Sequence, residues 1–197
     1  YKTLFLSAFV VLSHSASATV GGPTYVHSFT YNPANESVYF IENSMNGRGC
    51  PPELKKISLN TNKVETVYSC DEGEKLTDFN QAAVEIKKLT TGFKPLTQIS
   101  LPDNKIEIDV NFTRNIGTDY PEMKEFKATV YQNKKEVSEI PTSGCKLDQP
   151  FTFAGYAIPG YNAKIILVSS TIKDCFEGGY IDENPFVINC MNQNKPI

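Results

Sequence analysis

Short runs of alternating apolar and polar residues, separated by turn residues, recur from residue 24 to residue 191. Such runs are typical of β-strands, because successive side chains of a strand point to opposite faces of its sheet. The clearest run is residues 105–113, where the predicted inward positions are Ile106, Ile108, Val110 and Phe112. The pattern predicts a mainly β protein.

Four of the predicted strands lie within residues 24–69 and form a four-stranded antiparallel meander. They span residues 24–30, 37–42, 53–59 and 63–69. The segments between them are rich in Asn, Gly and Pro, which favour turns. Four strands in about 46 residues match the size of one propeller blade.

The segment YNPANESVYFIE…ELKKISLNTNKVETVYS resembles the sequences of single blades of secreted β-propellers. The sequence contains no second copy, and one blade cannot close a ring. We therefore favour a lone sheet packed on the residues that follow. The alternative is a fragment of a larger extracellular β-propeller protein.

Residues 71–98 predict a charged linker with a short helix. Asp78 is placed to cap the helix, with Gln81 at the capping-box position, and Gly92 is placed to end it. Apolar residues recur at helical spacing at Phe79, Ala82, Ala83, Ile86 and Leu89. The alternative is another strand over residues 84–89, which we favour slightly less.

Seven more strands are predicted in residues 99–191. They span residues 105–113, 125–132, 135–140, 151–158, 164–170, 179–182 and 186–191. Their number and spacing predict a seven-stranded β-sandwich of immunoglobulin-like size, although the chain has no Trp for the hallmark core position. The predicted organisation is a signal peptide (1–18), a meander (19–70), a linker (71–98), a sandwich (99–191) and a tail (192–197).

The first eighteen residues have the order of a secretory signal peptide. Lys2 precedes an apolar run over residues 4–12, and Ala16-Ser17-Ala18 forms an A-x-A cleavage site. Nine apolar residues fall short of the roughly 20 that span a bilayer, so no stable membrane anchor is expected. We predict a secreted or extracellular protein, periplasmic or at the cell surface in a bacterial source.

All five cysteines follow the predicted cleavage site, and disulfides are the expected state in an exported chain. Residues equidistant from a hairpin turn face each other. Two cysteines are each ten residues from Asn60, and two others are each fifteen residues from Gly160. We predict two disulfides and one free thiol: Cys50–Cys70, Cys145–Cys175 and unpaired Cys190.

Two glycosylation sequons occur, Asn35-Glu36-Ser37 and Asn111-Phe112-Thr113. Asn35 lies in a predicted turn, and Asn111 lies on the outward face of a predicted strand. Both asparagines are candidates for a glycan in a eukaryotic source. In a bacterial source we expect neither to be modified.

The sequence offers little for catalysis. Cleavage would leave His27 as the single histidine, so a Ser-His-Asp or Cys-His site would have to use it. We interpret His27 as a strand residue and predict no catalytic residues and no cofactor. The full chain carries a net charge of −3 with only two Arg, Arg48 and Arg114, so nucleic acid is not an expected partner.

Four acids in ten residues form the densest acidic group: Asp174, Glu177, Asp182 and Glu183. Carboxylate oxygens are ligands that Ca²⁺ prefers, so this group is the candidate metal site. The alternative is the solvated tip of a loop.

We therefore predict a secreted, non-enzymatic β-rich binding or adhesion module of unknown ligand. Its protein or carbohydrate partner would be contacted by loops at one end of the sandwich, near which Tyr156, Tyr161 and Tyr180 are predicted to lie. Residues 46–52, with Arg48 at the tip, could also present a side chain to a partner, but we favour an ordinary connection between strands there. The alternative from another class is a carboxylate-based extracellular hydrolase, which needs two acids roughly 5–10 Å apart across a groove.

Overall fold

The computed structural model describes residues 22–44, 52–69, 79–116, 123–145, 151–173 and 179–190. These residues are mainly β, as predicted, with twelve strands and one helix. In chain order they are β1 (Thr24–Asn32), β2 (Ser37–Ser44), β3 (Glu53–Ser58), β4 (Val64–Tyr68), α1 (Phe79–Leu89), β5 (Lys94–Pro95), β6 (Thr97–Ile99), β7 (Ile106–Asn115), β8 (Lys124–Gln132), β9 (Lys135–Gly144), β10 (Thr152–Ile158), β11 (Tyr161–Lys173) and β12 (Tyr180–Asn189). The predicted signal peptide and tail lie outside the described residues.

The predicted meander is confirmed. Strands β1 to β4 follow one another in the sheet as antiparallel neighbours. Tight turns follow β8 and β10, with φ of 52° at Asn133, 65° at Lys134 and 77° at Gly160. Asn and Gly tolerate this left-handed conformation, which is why these positions end strands.

The helix is confirmed as α1, so the alternative strand over residues 84–89 is wrong. Ala82 and Ile86 are buried, and Ile86 packs with Tyr39 of β2 and Leu54 of β3, whereas Ala83 and Leu89 are exposed. The buried face is therefore narrower than the predicted one. Gly92, with φ of 81°, follows the last turn.

One sheet joins the meander to the C-terminal strands. Its order is β4-β3-β2-β1-β12-β11-β10-β6, with β5 paired to β1. Strand β2 occupies one edge of β1, while the other edge meets β12 at Thr24 and β5 at Thr30. Because β5 leads directly into β6, strands β12, β11, β10 and β6 form a ring closed on β1. The sheet crosses the linker boundary that the sequence predicts.

Strands β7, β8 and β9 form a second sheet that packs against β11 and β12. The core cluster between the two sheets has Ile106, Val130 and Ile140 on one side and Leu167 and Ile188 on the other. Among strands β6 to β12, the second to fourth make the smaller sheet. In immunoglobulin constant domains the third, sixth and seventh do so, and the connectivity here is therefore different.

The predicted strands over residues 179–182 and 186–191 are in fact one strand, β12. The predicted break at Glu183-Asn184-Pro185 is wrong, because all three residues pair with β11. Proline cannot donate to a ladder and is confined to positions with a free edge. Pro185 meets this condition because β12 pairs with β1 only at Asp182. The edge of β12 that faces away from β11 is therefore unpaired at Pro185.

A separate core cluster unites the meander with the ring. Phe29 and Phe40 from the meander pack with Ile158, Ile166 and Val168 from β10 and β11. Burial of these side chains contributes roughly 1.5–3 kcal/mol each relative to exposure. The meander and the C-terminal strands are thus held by shared packing as well as by strand pairing.

Candidate functional site

A groove runs between the meander, β9 and β12, and it is the candidate binding site. It consists of a larger cavity of about 430 Å³ and a smaller one of about 280 Å³. The two share Pro141, Asn184 and Phe186, so they are contiguous. Cavities of several hundred Å³ are typical of small-molecule sites.

The larger cavity combines apolar walls with a half-buried ion pair. Phe40, Ile140 and Ile188 supply apolar surface. The ammonium group of Lys55 pairs with the Glu42 carboxylate, and the side chains of both residues are 19% exposed. Because the two charges compensate each other at short range, this part of the groove has little preference for a charged ligand.

The turn between β3 and β4 is fixed against the C-terminal strands and forms one wall. The Val187 backbone N–H donates to Asn62 Oδ1 at 3.0 Å. Lys164 Nζ donates to the Leu59 carbonyl from the neighbouring strand β11. Asn62 adopts a φ of 57°, which asparagine tolerates better than most residues. These contacts hold the groove open between parts of the chain that are distant in sequence.

The smaller cavity is more polar. Glu125, Thr142, Ser143 and Asn184 line it together with apolar residues. The Glu125 carboxylate accepts a hydrogen bond from Arg114 Nε. Hydroxyl, amide and carboxylate groups therefore converge where the two sheets separate.

The predicted calcium ligands are not brought together where the structure describes them. Asp182 and Glu183 are consecutive strand residues and point to opposite faces of the sheet. Glu183 accepts hydrogen bonds from the Val26 backbone N–H at 2.9 Å and from Ser170 Oγ at 3.1 Å. Asp174 and Glu177 lie outside the described residues. Within the described residues, no three His, Cys, Asp or Glu side chains are placed to share an ion.

His27 lies on the surface beside two neutral groups. Its Nδ1 is 2.8 Å from Ser28 Oγ, and its Nε2 is 2.9 Å from Asn43 Nδ2. Partial burial lowers the pKa of His27, and the charge of Glu183 opposes this effect. Ser28 has a φ of 57° at the irregularity of β1. Because a hydroxyl and an amide contact the ring, this arrangement differs from a Ser-His-Asp site.

Two of the tyrosines expected in recognition loops pack into the core instead. The Tyr156 ring lies 4.8 Å from that of Phe29, and the Tyr161 ring lies 6.3 Å from that of Tyr31. Tyr180 is half-buried at the start of β12. Arg48 and its loop lie outside the described residues.

The structure describes two of the five cysteines, Cys145 and Cys190. Cys145 forms a disulfide, and its partner lies outside the described residues, as do Cys50, Cys70 and Cys175. Cys190 is a free, half-buried thiol, and burial raises its pKa to about 11. The pairings Cys50–Cys70 and Cys145–Cys175 stay predictions.

The two sequon asparagines differ in their surroundings. Asn35 Nδ2 donates to the Tyr39 hydroxyl at 2.8 Å, while Asn111 is exposed on β7. A glycan on Asn35 would have to replace the contact with Tyr39. Modification of either residue stays a prediction.

Sequence reasoning missed the groove because its lining comes from strands that are far apart in the chain, namely β2 to β4, β8, β9 and β12, together with Ile116. Comparisons with protein-family models, with curated proteins and with solved structures find no match for this chain. In the described part of the chain, no helix has the length and apolar character needed to span a membrane.

Proposed function

We propose that this protein is an exported binding module that holds a neutral saccharide in the groove between the meander, β9 and β12. The observation that carries the proposal is the convergence of apolar and polar groups from the meander, β8, β9 and β12 on one continuous groove. An apolar cleft with a few convergent polar groups is the usual form of a ligand site. This site replaces the loops that the sequence favours as the contact region.

The polar groups of the groove support a ligand rich in hydroxyls. Asn62, Ser138 and Asn184 offer amide and hydroxyl groups along its length. Pro185 and Phe186 offer apolar surface that suits the C–H face of a sugar ring. The compensated charges of Glu42 and Lys55 favour a neutral ligand over an anionic or cationic one.

Two matched substitutions on β4 test the groove. Val64 is 43% exposed and lines the larger cavity, whereas Val67 is 38% exposed and is not part of the cavity lining. We expect Val64→Trp to block the cavity and weaken binding of neutral oligosaccharides at least about tenfold, equivalent to about 1.4 kcal/mol. Val67→Trp should leave binding within about twofold.

Saturation-transfer NMR with a panel of neutral oligosaccharides supplies the measurement, and circular dichroism checks the fold of both variants. Equal binding by the Val64→Trp and Val67→Trp proteins would place the ligand elsewhere. Absence of binding by every oligosaccharide in the panel would reject the saccharide class.

A carboxylate-based hydrolase is the second candidate, because Glu42 and Glu139 line the larger cavity from β2 and β9. Each carboxylate has a lysine partner, Lys55 for Glu42 and Lys127 for Glu139. A hydrolase of this kind needs two carboxylates free to act on the glycosidic bond, and both of these are engaged in ion pairs. Binding without turnover is therefore the preferred function.

Product analysis separates the two candidates. A hydrolase would release shorter saccharides from the wild-type protein and would lose this activity in Glu42→Gln and Glu139→Gln. The binding module should return the oligosaccharide intact after prolonged incubation. Release of reducing ends that depends on both glutamates would establish the hydrolase instead.

A further inference from the structure

Four polar side chains of β11 and β12 share one face of the large sheet. Ser169 lies directly opposite Asn184, and Thr171 lies directly opposite Asp182. Opposite residues of an antiparallel pair, and residues two apart in a strand, project from the same face, with Cβ atoms of an opposite pair about 4.5–5.5 Å apart. The four side chains therefore form a compact polar quartet, and Leu167 on the same face belongs to the core between the sheets.

Two members of the quartet are buried without a hydrogen-bond partner. Ser169 is 1% exposed and Thr171 is 3% exposed, and neither hydroxyl oxygen is hydrogen-bonded. Buried hydroxyls are nearly always satisfied, because an unpaired one loses its interaction with water. Two unpaired hydroxyls side by side therefore indicate a site for a bound polar species.

The other two members add a negative charge and an amide. Asn184 Nδ2 donates to Asp182 Oδ2 at 2.7 Å. This bond assigns the amide nitrogen to Asp182, so the amide oxygen Oδ1 is the group that Asn184 offers to a cation. An ionised carboxylate has about four lone-pair sites, so Asp182 can contact a cation in addition to its protein partners, of which Asn184 is one.

The quartet adjoins the smaller cavity, because Asn184 lines that cavity as well. Ca²⁺ takes six to eight oxygen ligands, including carboxylates, amide carbonyls and water, in a flexible geometry. We propose that Ser169, Thr171, Asp182 and Asn184 bind Ca²⁺, with water from the cavity completing its coordination. Glu183 is not a ligand of this ion, because it points to the opposite face. The proposal does not depend on the saccharide ligand.

One carboxylate in an adaptable site predicts weak binding that favours Ca²⁺ over Mg²⁺. Mg²⁺ demands near-ideal octahedral geometry and gives up its water reluctantly. We expect a Kd of about 10⁻⁴–10⁻³ M for Ca²⁺, the range of extracellular modules. Calorimetry and thermal unfolding of the full chain with CaCl₂ or MgCl₂ measure both properties.

Two sets of variants test the assignment. Asp182→Asn should weaken Ca²⁺ binding at least about tenfold, whereas Asp103→Asn, in an exposed turn, should bind as the wild type does. The double variant Ser169→Ala/Thr171→Val removes the unpaired hydroxyls. Without Ca²⁺ it should melt at a higher temperature than the wild type, and addition of Ca²⁺ should no longer raise that temperature.

The opposite directions of these two effects make the double variant decisive even if Asp182→Asn fails to fold. A wild-type protein that neither binds nor is stabilised by Ca²⁺ at 10 mM, about tenfold above the upper Kd, would overturn the proposal. So would a double variant that keeps the Ca²⁺ effect, since the quartet would then contain only ordered water.

Discussion

The Glu183 carboxylate accepts a hydrogen bond from the Val26 backbone N–H at 2.9 Å, at the junction where β12 meets β1. Its other oxygen accepts from Ser170 Oγ on β11. Strand β1 pairs with β12 only around Thr24, so this side chain satisfies a backbone donor that the ladder leaves unpaired. Glu183 therefore helps to close the ring of C-terminal strands on the meander.

Removal of the Glu183 carboxylate should destabilise the protein. Glu183→Ala leaves the Val26 N–H and the Ser170 hydroxyl without this acceptor, which costs about 1–3 kcal/mol. Glu183→Gln keeps one acceptor oxygen and should cost less. Urea unfolding measures both, with exposed Glu107→Ala on β7 as the control, expected within about 0.5 kcal/mol of wild type. Equal free energies of unfolding for the Glu183→Ala and Glu107→Ala proteins would contradict the assigned role.

The Glu183 carboxylate should also raise the pKa of His27. Burial holds the pKa of His27 below its ordinary value of 6.5, and the charge of Glu183 partly offsets this. Glu183→Gln should therefore lower the pKa of His27 further. Titration of the His27 Cε1–H signal by NMR measures it. A pKa of His27 that rises in the variant would show that Glu183 does not act on the ring.

The lowered pKa of His27 also sets a pH dependence of stability. The folded protein binds this proton less readily than the unfolded chain, so protonation favours unfolding. The contribution of His27 is fully present above its unfolded pKa near 6.5 and is lost as pH falls toward the folded value. Between about pH 7 and about pH 5, wild type should lose stability relative to His27→Gln. A constant difference in the free energy of unfolding over this range would contradict the prediction.

Gly155 leaves room for the side chains of Leu101 and Ile99 where β10 approaches β6. A Cβ atom at this position would lie 2.5 Å from Leu101 Cδ2 and 3.2 Å from Ile99 Cγ1. We expect Gly155→Ala to cost about 1–3 kcal/mol by overpacking, and much less in a Leu101→Ala background.

Gly160→Ala is the matched control for this double-mutant cycle. Gly160 has a φ of 77° and open space around the position of a Cβ. Its substitution should cost about 1 kcal/mol through backbone strain, equally in both backgrounds. Thermal or urea unfolding supplies the free energies of all six proteins, and an unchanged penalty for Gly155→Ala in the Leu101→Ala background would exclude the proposed clash.

Local pattern predicts most of the strands but not where each strand leaves the core. The alternation in β7 correctly places Ile106, Ile108 and Val110 toward the core cluster between the two sheets. Phe112 continues the alternation but is 47% exposed. The strand extends past the surface that covers its other residues, and no local signal marks that limit.

Which distant strands pair with each other could not be predicted from the sequence, for a different reason. The contact of Thr24 with Asp182 joins opposite ends of the chain, and strand periodicity is the same whichever strands pair. A break is expected at Pro185 because a proline usually ends a strand in a paired sheet. The proline is accommodated within β12 only because that edge of the strand is free. The groove depends on these long-range pairings and could not be predicted from sequence.

We propose that disulfides and sheet packing hold this protein together, with Cys190 as the cysteine left outside the two predicted disulfides. Iodoacetamide labelling without reductant, followed by peptide mapping, tests it most directly. At neutral pH the folded protein should stay unlabelled, because burial raises the pKa of Cys190 to about 11. In urea, Cys190 alone should react, and the unreduced map should contain the linked pairs Cys50–Cys70 and Cys145–Cys175. Label on any of the other four cysteines before reduction would contradict the account.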